Sequence, residues 1–411
     1  MAVRRTVALR SVGSRAIPIL IVFVLVALLC GGAGAGRASP PLATDLDTLG
    51  GDNSVALAIN DSGQVVGEAE NSDDWFHAFL WSRGKMTDLG TLPDIPSGYE
   101  YEYSAYGVNN RGQVVGVGVS VSDSNPAEGG DRAFLWSQGT MTDLGSLSGT
   151  DNSTATGIND AGQVVGYSYS YTTTRAVGHA FLWSNGTMTD LGTLGGTVSQ
   201  ATAINKSGQV VGRSQIAGDR VWHAFLWSAG KLADLGTRRG GRCSEASAIN
   251  DRGQVVGWSG GCPVIRGKRS PYRAVLWWHG KIRNLGTLGN RSSDARGINE
   301  RGQVVGNTYT PKRVPDHPFL WSRGRMSDLG SLYGTFCCID SSAYGVNDSG
   351  QVVGASDILE RPIWRHHAIL WRKGNGVTLC YRKQTGRVTK QIAKRLRKLG
   401  AKPGACRKQK H

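Results

Sequence analysis

The chain has 411 residues and a formal net charge of +16, but the charge is confined to its two ends. Residues 1–38 hold five arginines and no acidic residue, and residues 380–411 hold twelve lysines and arginines and no acidic residue. The body between them therefore has 30 basic and 31 acidic residues. A nucleic-acid-binding domain carries a basic face on its folded part, so we expect no nucleic-acid partner.

Residues 1–38 are predicted to be a signal peptide. Four arginines precede an apolar segment at residues 16–29, and small residues at 33–35 or 36–38 offer a cleavage site. The apolar run of about 14 residues is short for a membrane span. We therefore expect a secreted, extracellular protein. One version of this hypothesis is that the protein remains associated with the cell surface. An uncleaved anchor, or lipid attachment at Cys30, is the alternative.

The body contains seven copies of a repeat that opens with Ile/Val-Asn-x-x-Gly-Gln-Val-Val-Gly and continues with a hydrophobic pair, Trp and Gly. Asp-Leu-Gly usually follows. Repeats of this length, with short strands and tight turns, are typical of β-propellers. We predict an all-β, seven-repeat β-propeller, with four strands a to d in each blade, over residues 39–379; an open β-solenoid is the alternative. The glycine of the motif recurs every 45–50 residues, at Gly63, Gly112, Gly162, Gly208, Gly253, Gly302 and Gly350.

The turns between strands predict which face of the propeller binds a ligand. Asn-x-x-Gly between strands a and b is a turn signal, because Asn bonds to its own backbone and Gly accepts the left-handed conformation. The a–b and c–d turns are short in every repeat, whereas the b–c loops and d–a links vary in length. Variation among repeats concentrates on a binding face, so we predict the ligand site there.

An extra copy of strand d precedes the first repeat, at residues 44–51, and the seventh repeat lacks Asp-Leu-Gly after Trp371. We therefore predict that the N-terminal strand completes the last blade and closes the ring, which protects the sheet edges. The alternative is that residues 376–380 supply this strand.

Aromatic residues outside the repeated Trp position are the candidates for stacking on sugars from the variable face, and scattered surface aromatics are the alternative. Tyr167 lies in the same run of tyrosines as two of these candidates, Tyr169 and Tyr171. The candidates are Trp75, Tyr99, Tyr101, Tyr103, Tyr169, Tyr171, Trp222, Trp258 and Trp364. The repeated Trp is predicted to pack between blades.

The repeated His and the Asp of strand d are predicted to make structural hydrogen bonds, and we expect no metal and no cofactor. Equivalent positions in neighbouring blades lie too far apart for coordination bonds of about 2 Å. Arginine, which cannot ligate a metal, replaces His at Arg132 and Arg273. The histidines are His77, His179, His223, His317 and His367.

The sequence has no phosphate-binding loop opening a helix, no G-x-S-x-G elbow and no H-E-x-x-H motif. We therefore predict a non-catalytic, monomeric scaffold that binds an extracellular or cell-wall polysaccharide or a protein. The alternatives are a propeller hydrolase or lyase that acts on polysaccharide, with residues meeting near the axis, and a purely structural envelope protein.

Six cysteines follow the signal peptide, an even number that suits disulfides in an exported chain. Cys243 and Cys262 flank one repeat hairpin and are the first predicted pair. Cys380 and Cys406 bracket the C-terminal module and are the second. Cys337 and Cys338 are adjacent, and either a vicinal bridge or separate pairing suits them.

Residues 380–411 are predicted to form a small basic module. Thr389 caps a helix over residues 390–398, whose apolar stripe comprises Val388, Ile392, Leu396 and Leu399. An amphipathic cationic helix suits attachment to an anionic cell surface; a solvated module without a partner is the alternative. The candidate attachment residues are Lys390, Lys394, Arg395, Arg397 and Lys398.

The His-Ala-Phe triplets at residues 77–79, 179–181 and 223–225 resemble the HAF repeat family of exported bacterial proteins. The resemblance covers residues 44 to about 379. It implies an extracellular location and a repeat architecture, and it implies no established activity, catalytic residue or cofactor. Four copies depart from the triplet: Arg132-Ala133-Phe134, Arg273-Ala274-Val275, His317-Pro318-Phe319 and His367-Ala368-Ile369. The C-terminal module also looks like a terminal module of secreted bacterial proteins in which an early Cys pairs with a closing Gly-x-Cys.

Overall fold

The computed structural model describes residues 42–93, 101–120, 130–171, 176–218, 221–262, 271–289, 292–309, 317–333, 340–358, 365–372, 377–381, 384–398 and 401–403. The predicted signal peptide lies outside the described residues, as do Tyr99, Trp364, Cys337, Cys338 and Cys406. Within the described part of the chain, no helix has the length and apolar character to cross a membrane.

The described residues form 31 strands and one helix, and 28 of the strands build seven four-stranded antiparallel units in the order a-b-c-d. The third and fourth units are joined into one eight-stranded sheet by a parallel pairing of Gly178 with Val198. The a strands are β2 (Gly50–Ile59), β6 (Tyr101–Val108), β10 (Asn152–Ile158), β14 (Gly195–Ile204), β18 (Cys243–Ile249), β22 (Ser292–Ile298) and β26 (Ser341–Val346). The b strands are β3 (Val65–Asn71), β7 (Val114–Ser120), β11 (Val164–Tyr171), β15 (Val210–Ile216), β19 (Val255–Gly260), β23 (Val304–Tyr309) and β27 (Val352–Ile358).

The outer half of each unit consists of strands c and d. The c strands are β4 (Phe76–Ser82), β8 (Arg132–Ser137), β12 (Ala176–Ser184), β16 (Trp222–Ser228), β20 (Tyr272–Trp278), β24 (His317–Ser322) and β28 (Arg365–Arg372). The d strands are β5 (Lys85–Asp88), β9 (Thr140–Asp143), β13 (Thr187–Asp190), β17 (Lys231–Asp234), β21 (Lys281–Gly286), β25 (Arg325–Asp328) and, for the seventh unit, β1 (Leu42–Asp45). The predicted four-stranded repeat is therefore confirmed.

The N-terminal strand completes the last unit. Strand β1 pairs antiparallel with β28, and Ala43 lies opposite Trp371. Residues Val377–Tyr381 instead form β29, which belongs to the C-terminal module. The prediction that an N-terminal strand closes the ring is confirmed, and the alternative closure by residues 376–380 is wrong.

The a–b turns join neighbouring units as well as reversing the chain. In every copy the turn Asn is buried, and its Nδ2 donates one bond of 2.8–3.1 Å to the carbonyl oxygen of the equivalent Asn in the next unit. The same nitrogen donates a second bond of 2.7–2.9 Å to the Gln that follows the turn glycine. The seven residues are Asn60, Asn109, Asn159, Asn205, Asn250, Asn299 and Asn347.

This asparagine ring is continuous, because Asn347 of the last unit bonds to Asn60 of the first. The arrangement of four-stranded antiparallel sheets around a closed ring is that of a β-propeller, and it excludes the open solenoid. The sequence predicted the turn from its Asn and Gly, but not the bond to the next repeat.

The hydrophobic core lies between neighbouring units. One cluster packs Val115 and Ala133 of the second unit against Val164 and Phe181 of the third, and Trp183 packs against it. Each repeated Trp belongs to, or packs against, one such cluster. The prediction that this Trp packs between blades is confirmed.

Each a strand contains a β-bulge, which places one extra residue between two that pair with strand b. A bulge re-aims a side chain locally. The bulged residues, which all line the propeller axis, are Leu57, Tyr106, Thr156, Thr202, Ser247, Arg296 and Tyr344.

The C-terminal module consists of β29 (Val377–Tyr381), β30 (Gln384–Val388), helix α1 (Lys390–Lys398) and β31 (Lys402–Pro403). The backbone N–H of Ile392 donates to Thr389 Oγ1 at 3.3 Å, which confirms the predicted cap. Val388, Ile392 and Leu396 are buried in one cluster with Ala43 and Trp371 of the closing unit. The predicted stripe is confirmed at these three positions, and Leu399 lies outside the described residues.

The disulfide predicted between Cys243 and Cys262 is present, with a Cα–Cα distance of 5.0 Å. Cys243 begins strand β18, opposite Gly260 at the end of β19. Cys380 lies in strand β29; because Cys406 lies outside the described residues, that second pair stays a prediction.

Candidate functional site

Two cavities lie on the propeller axis, and they share no lining residue. The first, of about 240 Å³, lies at the asparagine ring and is lined by the residues that begin each a–b turn. The second, of about 430 Å³, lies farther along the a strands towards the d–a links. The second cavity is therefore on the side of the variable loops.

The polar groups of the first cavity are used within the ring. The residue after each turn Asn donates its backbone N–H to the side chain of its counterpart in the next unit, at 2.7–2.9 Å in six of the seven copies. The series is interrupted at Lys206, whose side chain has no oxygen to accept the backbone N–H of Asp160. The ammonium group of Lys206 lies 3.3 Å from the carboxylate of Asp251. This end of the axis is a self-bonded structural closure.

The lining of the second cavity varies among the units. The bulged residues Leu57, Tyr106, Thr156, Thr202, Ser247, Arg296 and Tyr344 surround it, with Thr154, Tyr167, Glu245, Trp258 and Asp294. On either side of the bulge the chain has Ala before, and Ala or Gly after, in all seven repeats. The repeats therefore share their framework around this position and differ in the side chain that faces the axis.

Four aromatic side chains line this cavity: Tyr106, Tyr167, Trp258 and Tyr344. Trp258 packs against Tyr272 with ring centroids 5.4 Å apart. Burial raises the pKa of Tyr106 and of Tyr167 above the usual tyrosine value. The rings of Tyr106 and Tyr167 are therefore neutral, and they present apolar surfaces next to the polar groups of the cavity.

Arg296 is held in the cavity wall by several contacts. Its Nη2 donates to Asp294 Oδ2 at 3.2 Å and to the hydroxyl of Tyr309 at 3.0 Å, and its guanidinium lies 4.9 Å from the centroid of Tyr344. Burial is the largest single effect and disfavours the charged form, but Asp294, Tyr309 and Tyr344 together outweigh it and raise the pKa of Arg296 well above its usual value. Arg296 is therefore charged and fixed in position.

Glu245 is held in the same way from the neighbouring unit. Its Oε2 accepts a bond of 2.9 Å from Arg213 Nη1. Arg213 also donates to Gln200 and lies 4.7 Å from the centroid of Trp222. Within the described residues, Oε1 of Glu245 and Nη1 of Arg296 have no protein partner, so each pair presents one unused polar atom.

The structure separates the aromatic candidates into three groups. Trp258 lines the axial cavity, and Trp75 and Trp222 are half-buried elsewhere, with Trp222 beneath Arg213. Tyr171 is 68% exposed and contacts Tyr169 edge-on. Tyr99 and Trp364 lie outside the described residues.

The other three tyrosines lie in the interior. Tyr101, Tyr103 and Tyr169 are at most 8% exposed. The hydroxyl of Tyr103 accepts a bond from the backbone of Leu92, and Tyr169 donates to Asp131. Predicting these three as sugar-stacking residues was wrong, because their rings pack in the core and present no face to solvent.

Sequence reasoning missed Arg296, Glu245, Asp294, Tyr106 and Tyr344 as candidates. A signal for the bulged positions was present, since one variable residue stands between two small residues just before Ile/Val-Asn in each repeat. This signal could not be used without knowledge of the bulge, because the sequence alone does not show which of these side chains faces the axis.

The repeated His and Asp form cross-strand pairs. In five units the His Nδ1 lies 2.8–3.0 Å from a carboxylate oxygen of strand d, and Arg132 takes this role towards Asp143. The second Asp oxygen accepts a backbone N–H two residues on, as Asp88 does from Gly90. The bond to Asp88 raises the pKa of His77. The predicted structural hydrogen bonding is confirmed.

Among the described residues, one group has donors at metal-binding spacing: Asp45, Asp47 and His367. It is the closing unit's copy of the same His–Asp pair with a second carboxylate two residues on. The His367–Asp45 bond of 2.8 Å already accounts for this contact.

The exposed face of helix α1 is basic. Lys390, Lys394, Arg397 and Lys398 are exposed, while Ile392, Ala393 and Leu396 are buried against the propeller. Nothing is described of the side chain of Arg395. The cationic face is thus presented to solvent by a helix whose apolar face is already covered.

Comparison with known proteins gives a family model and a fold. Residues 77–235 match the model of a family described as "Protein of unknown function (DUF3466)". No curated protein matches the chain.

Solved structures similar to this chain have low sequence identity. TolB from Acinetobacter baumannii is 13% identical, with a TM-score of 0.39; the match covers 67% of this chain and 63% of that one. The β-propeller domain of the Trilobed protease from Pyrococcus furiosus is 12% identical, with a TM-score of 0.45 and coverage of 68% and 82%. A polysaccharide lyase, PL25 ulvan lyase, is 10% identical, with a TM-score of 0.43 and coverage of 82% and 94%.

Proposed function

We propose that this chain is a secreted, non-catalytic, seven-bladed β-propeller that binds an extracellular ligand in the axial cavity on the side of the variable loops. The observation that carries the proposal is the difference between the two ends of the axis. One end repeats the same Asn in all seven units. The other presents five different residue types at the seven bulged positions, of which two positions are aromatic and one is Arg.

A scaffold needs positions at which every repeat has the same residue, such as the turn Asn. A recognition site needs positions at which the repeats differ, such as the bulged residues. The flanking small residues keep the backbone the same in every repeat, so the differing side chains cost the fold little. Small-molecule sites are concave, lined by aromatic groups and supplied with a few placed polar groups. The second cavity has these properties.

The carboxylates of the cavity support binding rather than catalysis. Asp294 is bonded to Arg296 and Tyr309, and Glu245 is bonded to Arg213. A general acid or base must be free to exchange a proton with the substrate, whereas these carboxylates accept bonds from arginines. The Cys243–Cys262 disulfide suits an exported protein, since such bonds persist in oxidising compartments.

A second candidate activity is electrostatic attachment to an anionic cell surface through helix α1. Amphipathic helices that bind membranes bury their apolar face among the lipids, but here Ile392 and Leu396 are buried in the protein. We therefore propose that the exposed lysines and arginines bind anionic polymers or headgroups by charge alone. Such binding weakens as salt is added.

A glycan and cell-wall-polymer array tests both proposals. Deleting the tail would expose the cluster around Trp371, so the informative variant keeps the helix and reverses its exposed charges: Lys390→Glu, Lys394→Glu and Lys398→Glu. Binding that persists in this variant and in high salt supports recognition by the propeller. Binding that disappears in both supports attachment by the tail, and a mature chain that binds nothing on the array contradicts both proposals.

A further inference from the structure

We infer that the axial cavity on the variable-loop side binds a single uncharged sugar unit, with Trp258 against the sugar ring and Glu245 and Arg296 bonded to its hydroxyls. This inference rests on the proposed binding function and specifies the class of ligand. It is carried by the size, the charge balance and the unused polar atoms of the cavity.

The size of the cavity suits a small ligand. Its volume of about 430 Å³ lies in the range typical of small-molecule sites. The cavity at the asparagine ring has none of the same lining residues, and its polar groups are bonded to each other. The ligand is therefore expected at one end of the axis.

The charges of the cavity are balanced before any ligand arrives. Glu245 lies 2.9 Å from Arg213, and Asp294 lies 3.2 Å from Arg296. An anionic or cationic ligand would have to compete with one of these ion pairs, and a partly buried charge that loses its partner costs free energy. The balance therefore favours a neutral ligand.

Each ion pair leaves one atom for the ligand. Within the described part of the chain, Glu245 Oε1 can accept a hydrogen bond and Arg296 Nη1 can donate one. A sugar hydroxyl both donates and accepts, so the hydroxyls of a sugar suit an acceptor and a donor that line one cavity. Ligands with only acceptors, such as phosphate, satisfy the arginine alone.

The aromatic lining supplies the apolar contact that a sugar ring needs. Trp258 is held by Tyr272, and Tyr344 lies beneath the Arg296 guanidinium. Aromatic faces pack against apolar surface, and the C–H groups of a sugar ring provide such a surface. Because these side chains are already fixed by neighbours, binding orders few new rotamers.

The test uses the mature chain, residues 39–411, and sugars that are matched in shape but differ in charge. Glucose is compared with glucuronate and glucosamine, and galactose with galacturonate and galactosamine, alongside neutral mannose, fucose, rhamnose and N-acetylglucosamine. Each is measured as a multivalent conjugate on a biosensor and as a methyl glycoside by saturation-transfer NMR.

At least one neutral sugar is expected to bind more tightly than its charged counterparts. Trp258→Ala should weaken that binding about tenfold, which is the order of effect of losing one aromatic contact. Ser247→Phe, which places a ring into the cavity from the neighbouring strand of the same blade, should weaken it as much. Trp278→Ala removes an exposed Trp, 44% accessible, at the outer end of a c strand, and should leave binding unchanged.

Three outcomes overturn the inference while the proposed binding function stands. The uronates or amino sugars bind more tightly than the neutral sugars, or a neutral sugar binds but neither cavity variant weakens its binding. In the third outcome, the chain binds a polymer on the array but binds none of the neutral sugars. Circular dichroism of each variant separates lost binding from lost folding. A chain that binds no polymer on the array contradicts the proposed function itself.

Discussion

The side-chain Nδ2 of Asn347 donates a hydrogen bond of 3.0 Å to the carbonyl oxygen of Asn60, which lies 287 residues earlier in the chain. This bond closes a ring in which each repeat is tied to the next at the same position. Because strand β1 also pairs with β28, the first and last repeats are joined both at the axis and at the outer edge of the sheet. The ring is thus held by two separate sets of contacts.

We expect Asn109→Ala to destabilise the protein by about 2 kcal/mol or more, because it leaves the buried carbonyl of Asn159 and the half-buried side chain of Gln113 without their donor. Asn110→Ala, one residue later in the same turn, is the matched control, since its bonds lie at the exposed surface. Urea denaturation measures both variants. Equal losses would show that the buried ring bond contributes nothing special.

The same His–Asp pair should contribute more at the ring closure than elsewhere. Asp45 and His367 are buried, whereas the side chain of Asp88 is 40% exposed beside His77. Asp45→Ala is expected to cost about 1–3 kcal/mol, and Asp88→Ala less than about 1 kcal/mol. Thermal unfolding compares them, and a larger loss for Asp88→Ala would contradict closure by β1.

Glu68 should make stability depend on pH. Burial raises the pKa of this carboxyl above its ordinary value of 4.5, against the opposing effect of its bond from Ser104. Between the ordinary and the raised pKa, the folded state binds more protons than the unfolded state, so stability falls as pH rises through this range. The contribution of Glu68 to stability is therefore fully present below the ordinary pKa of this carboxyl.

Glu68→Gln keeps an acceptor for Ser104 and removes the buried charge. We expect this variant to be more stable than the parent above the raised pKa and to lose the decline with pH. Free energies of unfolding measured across pH 4–8 (about one point per half unit) check it. Asp73→Asn, at an exposed turn, is the control, and an unchanged slope in Glu68→Gln would contradict the prediction.

The Cys243–Cys262 disulfide closes a segment with a sequence separation of 19. A bridge of this loop size contributes about 3 kcal/mol, so Cys243→Ser with Cys262→Ser should lower stability by that order. The parent and the double variant should have equal stability when both are measured in reductant. Peptide mapping of the same samples also reveals whether Cys380 and Cys406 form the second predicted pair.

Helix α1 should stabilise the closing unit. Leu396 is fully buried in the cluster that contains Ala43 of β1 and Trp371 of β28. Leu396→Ala is expected to cost about 2–5 kcal/mol and to increase amide exchange in β1, whereas Lys394→Ala on the exposed face should do neither. Faster exchange confined to the helix would contradict the coupling to β1.

Much of this architecture follows from local chemistry that a sequence displays. The period of 45–50 residues, the Asn-x-x-Gly turns and the spare strand at residues 44–51 predicted the repeats and the closure. The cap at Thr389 and the stripe through Ile392 depend on residues three and four apart, which lie on one face of any helix. Cys243 and Cys262 pair because a hairpin of known turn brings its ends together.

The axial site depends on the tertiary structure instead. Tyr101 and Tyr103 are two positions apart and so share one face of β6, but the sequence does not show that this face is the interior. The bulge in each a strand directs Arg296, Tyr106 and Tyr344 to the axis, and the pairing of Glu245 with Arg213 joins residues of different blades. Local periodicity determined which strands form, and only the closure of seven sheets around one axis decided which of their side chains meet.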